Sequence, residues 1–315
     1  VAEDTYIREE SGWRSLRTRN LIPQVSTMHI THGSQISAAN TGWQRTGITL
    51  TRVANNQSGP GWHTESGVFY ITGDNVHIDG LDIPMPVRAR GNDIQITRCR
   101  IASAQYYLIQ ASDIPIYYTG LIVEDCELYG LDQPSPPTIA VMACEDAIYR
   151  RCNIHGMGSS GPRLTNNNLM EECYIHSFAH VEPEHEAGTS ANGPDVNITI
   201  LRCKIMINSG GASCAIGIYL DFGTHNGIYI TDNYLAGGAY VVQAGINVPG
   251  AIYPASQNVQ ITGNIFGRDY HWRSGIYGPV SQWRADPGCL LENNVWGGGA
   301  AATEDFITGT PIVLS

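Results

Sequence analysis

Residues 93–101 read DIQITRCRI and residues 258–266 read NVQITGNIF. Both put apolar side chains at positions 2, 4 and 9, polar ones at 3 and 5, and Cys or Asn at 7. The same frame recurs as NVHIDGLDI at 75–83, GLIVEDCEL at 120–128, DAIYRRCNI at 146–154 and NNLMEECYI at 167–175, then as NITILRCKI at 197–205, GIYITDNYL at 227–235 and GCLLENNVW at 288–296. Successive starts lie 18 to 31 residues apart, and near-constant self-similarity in that range marks a solenoid or array whose single unit is too short to be a domain.

Period-2 alternation at positions 2 to 5 reads as a short strand, and no amphipathic helical stretch of ten or more residues separates the units. That disfavours a leucine-rich horseshoe, and the spacing is too short for propeller blades. Further strand candidates lie between units: PVRAR at 86–90, TIAVMA at 138–143, AIGIYL at 215–220, YVVQAGI at 240–246 and GIYGPVS at 275–281. Two or three short strands per turn, each pairing with its equivalent in the next turn, make a coil. The expected fold is all-β, a single-stranded right-handed parallel β-helix solenoid of about nine or more rungs. At about 4.8 Å per rung it forms a rod roughly 40 Å long. The helix is expected over 29–315, preceded by an attachment or capping segment at 1–28, where Trp13 lies among Arg14, Arg17 and Arg19.

The remaining composition bounds the partners. A net charge of −11 argues against nucleic acid, because phosphate neutralisation needs clustered Lys and Arg. The chain has one lysine, Lys204, against 17 arginines. No apolar run reaches the length of a membrane span, and the N-terminal stretch is not a signal peptide. The start at Val1 leaves room for a signal or domain upstream.

Five of eight cysteines, Cys99, Cys126, Cys152, Cys173 and Cys203, fall at position 7, where Asn233, Asn264 and Asn294 take over in the later units. Stacked at rung spacing, thiols pack as small apolar groups and amides hydrogen-bond from rung to rung. Parallel side chains pointing the same way have the wrong torsion for a disulfide. Buried free thiols are expected, with no metal site, since no C-x-x-C pair occurs.

ISAANTGWQ at 36–44, HIDGLDI at 77–83, VRARGNDIQITRCRI at 87–101, LDFGTHNGIYITDNYLAGGAY at 220–240, NIFGRD at 264–269 and ENNVW at 292–296 carry a resemblance. From about Ser26 onward the chain resembles the right-handed parallel β-helix proteins of the pectate-lyase-like group, in particular those of phage particles and secreted actinobacterial proteins. The resemblance implies fold more than chemistry, because this scaffold hosts lyases, glycosidases, epimerases and binders alike. It implies an H-x-D-(G/A)-(I/L)-Q strand where this chain reads His185-Glu186-Ala187-Gly188-Thr189-Ser190, so the acid is replaced by Ala187. Asp221 keeps an acid where the relatives have one. For spike-like members it further implies a homotrimer.

The densest candidate cluster is FAHVEPEHEAG, with His180, Glu182, Glu184, His185 and Glu186. Alternate acids on an extended segment would share one face, as a glycosidase pair requires. A solvated loop is the plainer reading of the same residues. The expected catalytic set is Asp221, Glu186, Glu184 and His185. The expected substrate-binding set is Tyr219, Gln243, Asn247, Asp269, His271 and Arg273. A uronate lyase also needs cations at the substrate carboxylate, for which this face offers Arg273 and Arg268, and Ca²⁺ would then assist. Otherwise no cofactor is expected. With the resemblance, these residues imply a polysaccharide or cell-surface glycan as partner, and the resemblance implies an extracellular or virion location; the leading reading is a tail-spike-like protein that binds a host glycan, with depolymerisation as a further expectation. A secreted polysaccharide lyase or glycoside hydrolase is the alternative, and a non-catalytic structural or decoration protein the third.

Overall fold

The computed structural model describes residues 30–314 apart from 114–115, 133–138, 143, 180–184 and 209–213, together with the backbone of the hairpin Tyr6–Glu9 and Gly12–Ser15. Three parallel sheets wind around one core. Sheet I holds nine strands from His77–Asp79 to Leu290–Glu292, and sheet II holds ten from Thr51–Arg52 to Val295–Trp296. Sheet III runs from Val68–Thr72 to Gly278–Ser281 and is extended at its first edge by the antiparallel strands Ser58–Gly59 and Trp62–Glu65. This is the expected parallel β-helix, with the intervening strand candidates forming sheet III.

The nine-residue frame is two strands, not one. Its first half lies in sheet I and its second in sheet II, and position 6 is left-handed in all nine units: Gly80, Arg98, Asp125, Arg151, Glu172, Arg202, Asp232, Gly263 and Asn293, with φ between 49° and 68°. Apolar positions 2 and 4 followed by 7 and 9 already encode this, because the inward phase slips by one residue between 4 and 7. Position 1 is left-handed as well, and there only Asn, Asp and Gly occur, the residues that tolerate it best.

Arginine and glutamate at position 6 cost roughly 1 kcal/mol each in that conformation. Their side chains offset it through charge that alternates along the corner. Arg98 pairs with Asp79, Arg151 with Asp125 at 2.9 Å and with Glu124, and Arg202 with Glu172 at 3.3 Å and with Glu171.

Inside, position 4 stacks Ile78, Ile96, Val123, Tyr149, Met170, Ile200, Ile230 and Ile261, none more than 2% exposed. Position 7 is the expected ladder. The Cys203 N–H donates to Asn233 Oδ1 at 2.8 Å, the Asn233 amide donates to Asn264 Oδ1 at 3.0 Å, and the Asn264 amide donates to Asn294 Oδ1 at 2.9 Å. All eight cysteines are buried and free.

Residues 30–50 do not coil. They run down the outside of the corner between sheets I and II, from His32 at the Gly263 carbonyl (3.0 Å) through Gly42 at the Arg151 carbonyl (2.8 Å) to Arg45 at Asp125 (2.6 Å). Gly33 donates to the Asp232 carbonyl at 2.7 Å, and a Cβ there would lie 2.1 Å from the Cys203 carbonyl oxygen, so only glycine permits this approach. Thr51–Arg52 then pairs with Leu81–Ile83 and begins the first coil.

Candidate functional site on sheet III

Sheet III is buried over consecutive residues on several of its rungs. Consecutive residues are both buried at Leu108-Ile109, Ala140-Val141, Ala215-Ile216 and Val241-Val242. The strand register stacks Arg88, Gln110, Met142, Arg163, Ser190, Gly217, Gln243 and Ser281 in one line along the sheet.

Small side chains make the middle of this line low, and Tyr219 fills part of it. A Cβ on Gly217 would sit 2.3 Å from the Tyr219 ring, so the ring lies across that glycine. Its hydroxyl is 3.1 Å from Cys214 Sγ. Burial first, then the neighbouring Cys214, pushes the phenol well above its ordinary range, so it stays protonated at neutral pH. Just beyond it the chain leaves the sheet, and Asn192 Nδ2 donates to the exposed Asp221 at 2.6 Å. Tyr219, Asp221, Val248, Ile252 and Gln282 line an open depression of about 340 Å³. Asn247 joins its rim through an N–H to the Gln282 carbonyl at 2.9 Å.

Four expected residues, Tyr219, Asp221, Gln243 and Asn247, are thus brought together at the trailing edge of sheet III. The others are elsewhere. Glu186 stands at the leading edge, fully buried, immediately before the strand Ala187–Ala191, while His185 beside it is exposed. His180, Glu182 and Glu184 lie outside the described residues. Five strand residues separate Glu186 from the edge that holds Asp221, which is roughly 16 Å of extended chain. Glycosidase carboxylates stand about 5 to 9.5 Å apart, so these two cannot serve as such a pair.

Asp269, His271 and Arg273 occupy the corner between sheets II and III. Asp269 accepts the Tyr234 hydroxyl at 2.6 Å, His271 is held below its ordinary pKa by burial, and Arg273 lies 4.3 Å from the Trp272 ring centroid. Arg268 is no surface cation. It is 1% exposed and donates to the carbonyls of Gly297 at 2.7 Å and Thr303 at 3.2 Å, and to Phe306, fastening the C-terminal segment.

One of the arginines that sheet III presents is Arg163, partly exposed in the outer line. It makes no hydrogen bond or ion pair among the described residues, unlike the arginines of the sheet I–II corner. Sequence reading missed it because Pro162 disguises the strand Ser160–Leu164, proline being unusual inside a sheet. A second signal was available in the rung spacing, which requires a sheet III strand between DAIYRRCNI and NNLMEECYI.

Residues 87–266, more than half of the chain, match the sequence profile described as "Right handed beta helix region". The chain belongs to this right-handed β-helix family. Among solved structures, the β-helix is similar to a mannuronic acid specific polysaccharide family 6 lyase from human gut microbiota. Identity is 12%, coverage is 75% of this chain and 80% of that one, and the TM-score is 0.27, too low to carry any argument about the site. No curated protein sequence matches the chain. Among the described residues no three His, Cys, Asp or Glu side chains converge as a metal site, and no helix is long and apolar enough to cross a membrane.

Proposed function

We propose that the chain binds a polysaccharide along the outer line of sheet III, from Arg163 across Ser190 and Tyr219 to the depression at Asp221. The observation that carries this reading is Arg163. A guanidinium unpaired among the described residues presents five donors in a fixed fork, suited to a carboxylate or to adjacent hydroxyls. Tyr219 adds a ring face and a protonated phenol, and Asp221, Gln243 and Asn247 add acceptors and amides for sugar hydroxyls. Binding is favoured over hydrolysis because the described acids on this sheet, Glu186 and Asp221, stand too far apart to act together.

In this reading the rod is displayed outside the cell or on a virion, tail-spike fashion and as a trimer, and its partner is a host cell-surface glycan. The resemblance of 220–240 and 264–269 to particle-borne β-helices supports that placement, and light scattering on the purified chain tests the trimer. For the site, neutral and acidic polysaccharides are titrated calorimetrically while unsaturated products and new reducing ends are followed. Arg163→Ala is expected to weaken binding about 10- to 100-fold, the worth of a charged hydrogen bond, with thermal stability retained. Unchanged affinity in Arg163→Ala would place the binding face elsewhere. Product formation abolished by Asp221→Asn would establish depolymerisation at this site.

A further inference from the structure

The outer face of sheet II carries a stack that glycan recognition on sheet III does not use. Tyr129 and His155 stack at 4.6 Å, His155 and His176 at 5.4 Å, and His176 and Tyr174 at 3.9 Å. One rung on, the Lys204 ammonium lies 5.8 Å from the Tyr174 ring centroid and 5.0 Å from that of Tyr234. Tyr174, Lys204 and Tyr234 are strict register partners, so the cation stands between two rings by the geometry of the coil itself.

Lys204 is the sole lysine of the chain. It forms no ion pair or hydrogen bond among the described residues, in a protein of net charge −11. Asp269, the acid of the neighbouring corner, is engaged by the Tyr234 hydroxyl at 2.6 Å. The arrangement is held from behind: a Cβ on Gly267 would lie 2.3 Å from the Tyr234 hydroxyl, so that glycine makes room for the ring.

Two further donors are uncommitted. The Tyr174 and Tyr270 hydroxyls make no hydrogen bond among the described residues, and burial keeps both phenols protonated. His176 is held neutral near pH 7, its pKa lowered to about 4 by burial and by His155 and Lys204. The patch therefore offers one positive charge, fixed upright between two rings, with phenol donors beside it. Cation–π contact holds the ammonium without neutralising it, and a side chain ordered in advance loses less entropy when it binds.

We propose that Lys204, Tyr174, Tyr234 and Tyr270 form a second glycan-binding site, on sheet II, that takes a sugar bearing a monoanionic substituent, a carboxylate or a sulfate ester. A single cation with two neutral donors matches one negative charge, and ring edges and His176 supply the apolar contact for the pyranose. This site is separate from sheet III and is tested separately.

Because Lys204 is the only side-chain amine, acylation by an N-hydroxysuccinimide ester, read by peptide mass spectrometry, reports on it alone, with the N-terminal amine as internal control. The full chain is labelled with and without a uronic-acid tetrasaccharide, a sulfated neutral tetrasaccharide and the unsulfated parent. The uronate is expected to slow Lys204 acylation at least fivefold while the unsulfated parent does not, and Asp269→Asn is expected to deepen that protection by removing a competing charge. Protection by the sulfated sugar alone supports the site and identifies its anion as sulfate. Equal labelling with all three sugars, equal protection by the unsulfated parent, or weaker protection in Asp269→Asn overturns the proposal. Arg163→Ala weakens the sheet III site and leaves this protection in place. Its loss in that variant would show that the signal came from sheet III and would likewise overturn the assignment.

Discussion

Rungs 99 to 203 and rungs 233 to 294 solve one problem with two chemistries. In both, position 7 points inward behind a left-handed residue and leaves backbone groups at the sheet I–II corner to be satisfied. The amide half does this fully. Asn264 Oδ1 accepts the Asn233 N–H at 3.0 Å, while its Nδ2 donates to the Ile230 carbonyl at 2.8 Å and to Asn294. The thiol half does it weakly: Cys126 Sγ receives the Cys99 N–H at 3.4 Å and faces the Glu124 carbonyl at 3.2 Å. Outside, the balance reverses. The thiol rungs carry the ion pairs of Arg98, Arg151 and Arg202, while the amide rungs have Asp232, Gly263 and Asn293 at the same corner, with no ion pair among the described residues. Where the interior bond is strong the exterior can be plain, and where sulfur fills the slot charge stiffens the corner.

The largest expected effect breaks the amide half. Asn264→Ala removes an acceptor and two donors from a fully buried position, leaving the Asn233 N–H and the Ile230 carbonyl without partners. At about 1 to 3 kcal/mol for each orphaned group, a loss of about 3 to 5 kcal/mol is expected, measured by urea unfolding. The matched Cys126→Ala should lose less than half of that; an equal loss would end the distinction between the halves.

A second effect belongs to the thiol half. Burial raises the Cys126, Cys152 and Cys173 thiols well above their ordinary range, Cys144 to about 11 and Cys214 to about 12. Groups raised in the folded state contribute stability that is complete below the unfolded pKa, about 8.5, and lost as pH climbs through the folded values. Stability should thus hold to about pH 8 and fall between about pH 9 and 12. Hydrogen exchange should show rungs 99 to 203 opening before the amide rungs. The same thiols should resist thiol reagents until the chain is denatured without reductant.

The smallest effect sharpens the boundary. Cys203 adjoins Asn233, so Cys203→Asn extends the amide ladder by one rung, able to accept from the Cys173 N–H that now meets sulfur at 3.4 Å. A gain of about 1 kcal/mol is expected from the stronger bond. A loss would show that the coil around Met170 is packed too tightly for an amide.

Legibility differed between fold and site for a physical reason. The ladder and the nine rungs were readable because a solenoid repeats each environment, so one environment imposes one residue type at a fixed register. The two-strand nature of the frame was present too, in the phase slip between positions 4 and 7 and in the Asn, Asp and Gly of position 1, but period-2 reading passes over a single left-handed residue. The candidate site was half legible. Tyr219, Asp221, Gln243 and Asn247 do gather, because rung spacing alone places them one above another. Glu186 is buried, which alternation alone does not disclose, and Arg163 was missed because its strand contains Pro162.

By itself the sequence determined the coil: its period and the inward ladder of thiols and amides. Those properties are local or repeat with the chain, so register suffices to deduce them. Only the tertiary structure decided which charges remain unpaired among the described residues. Arg98, Arg151, Arg202 and Arg268 are consumed by partners 19 to 40 residues away, whereas Arg163 and Lys204 are left to face outward. Pairing depends on which rung lies beside which and how far a side chain reaches between them, and a string of residues holds neither distance.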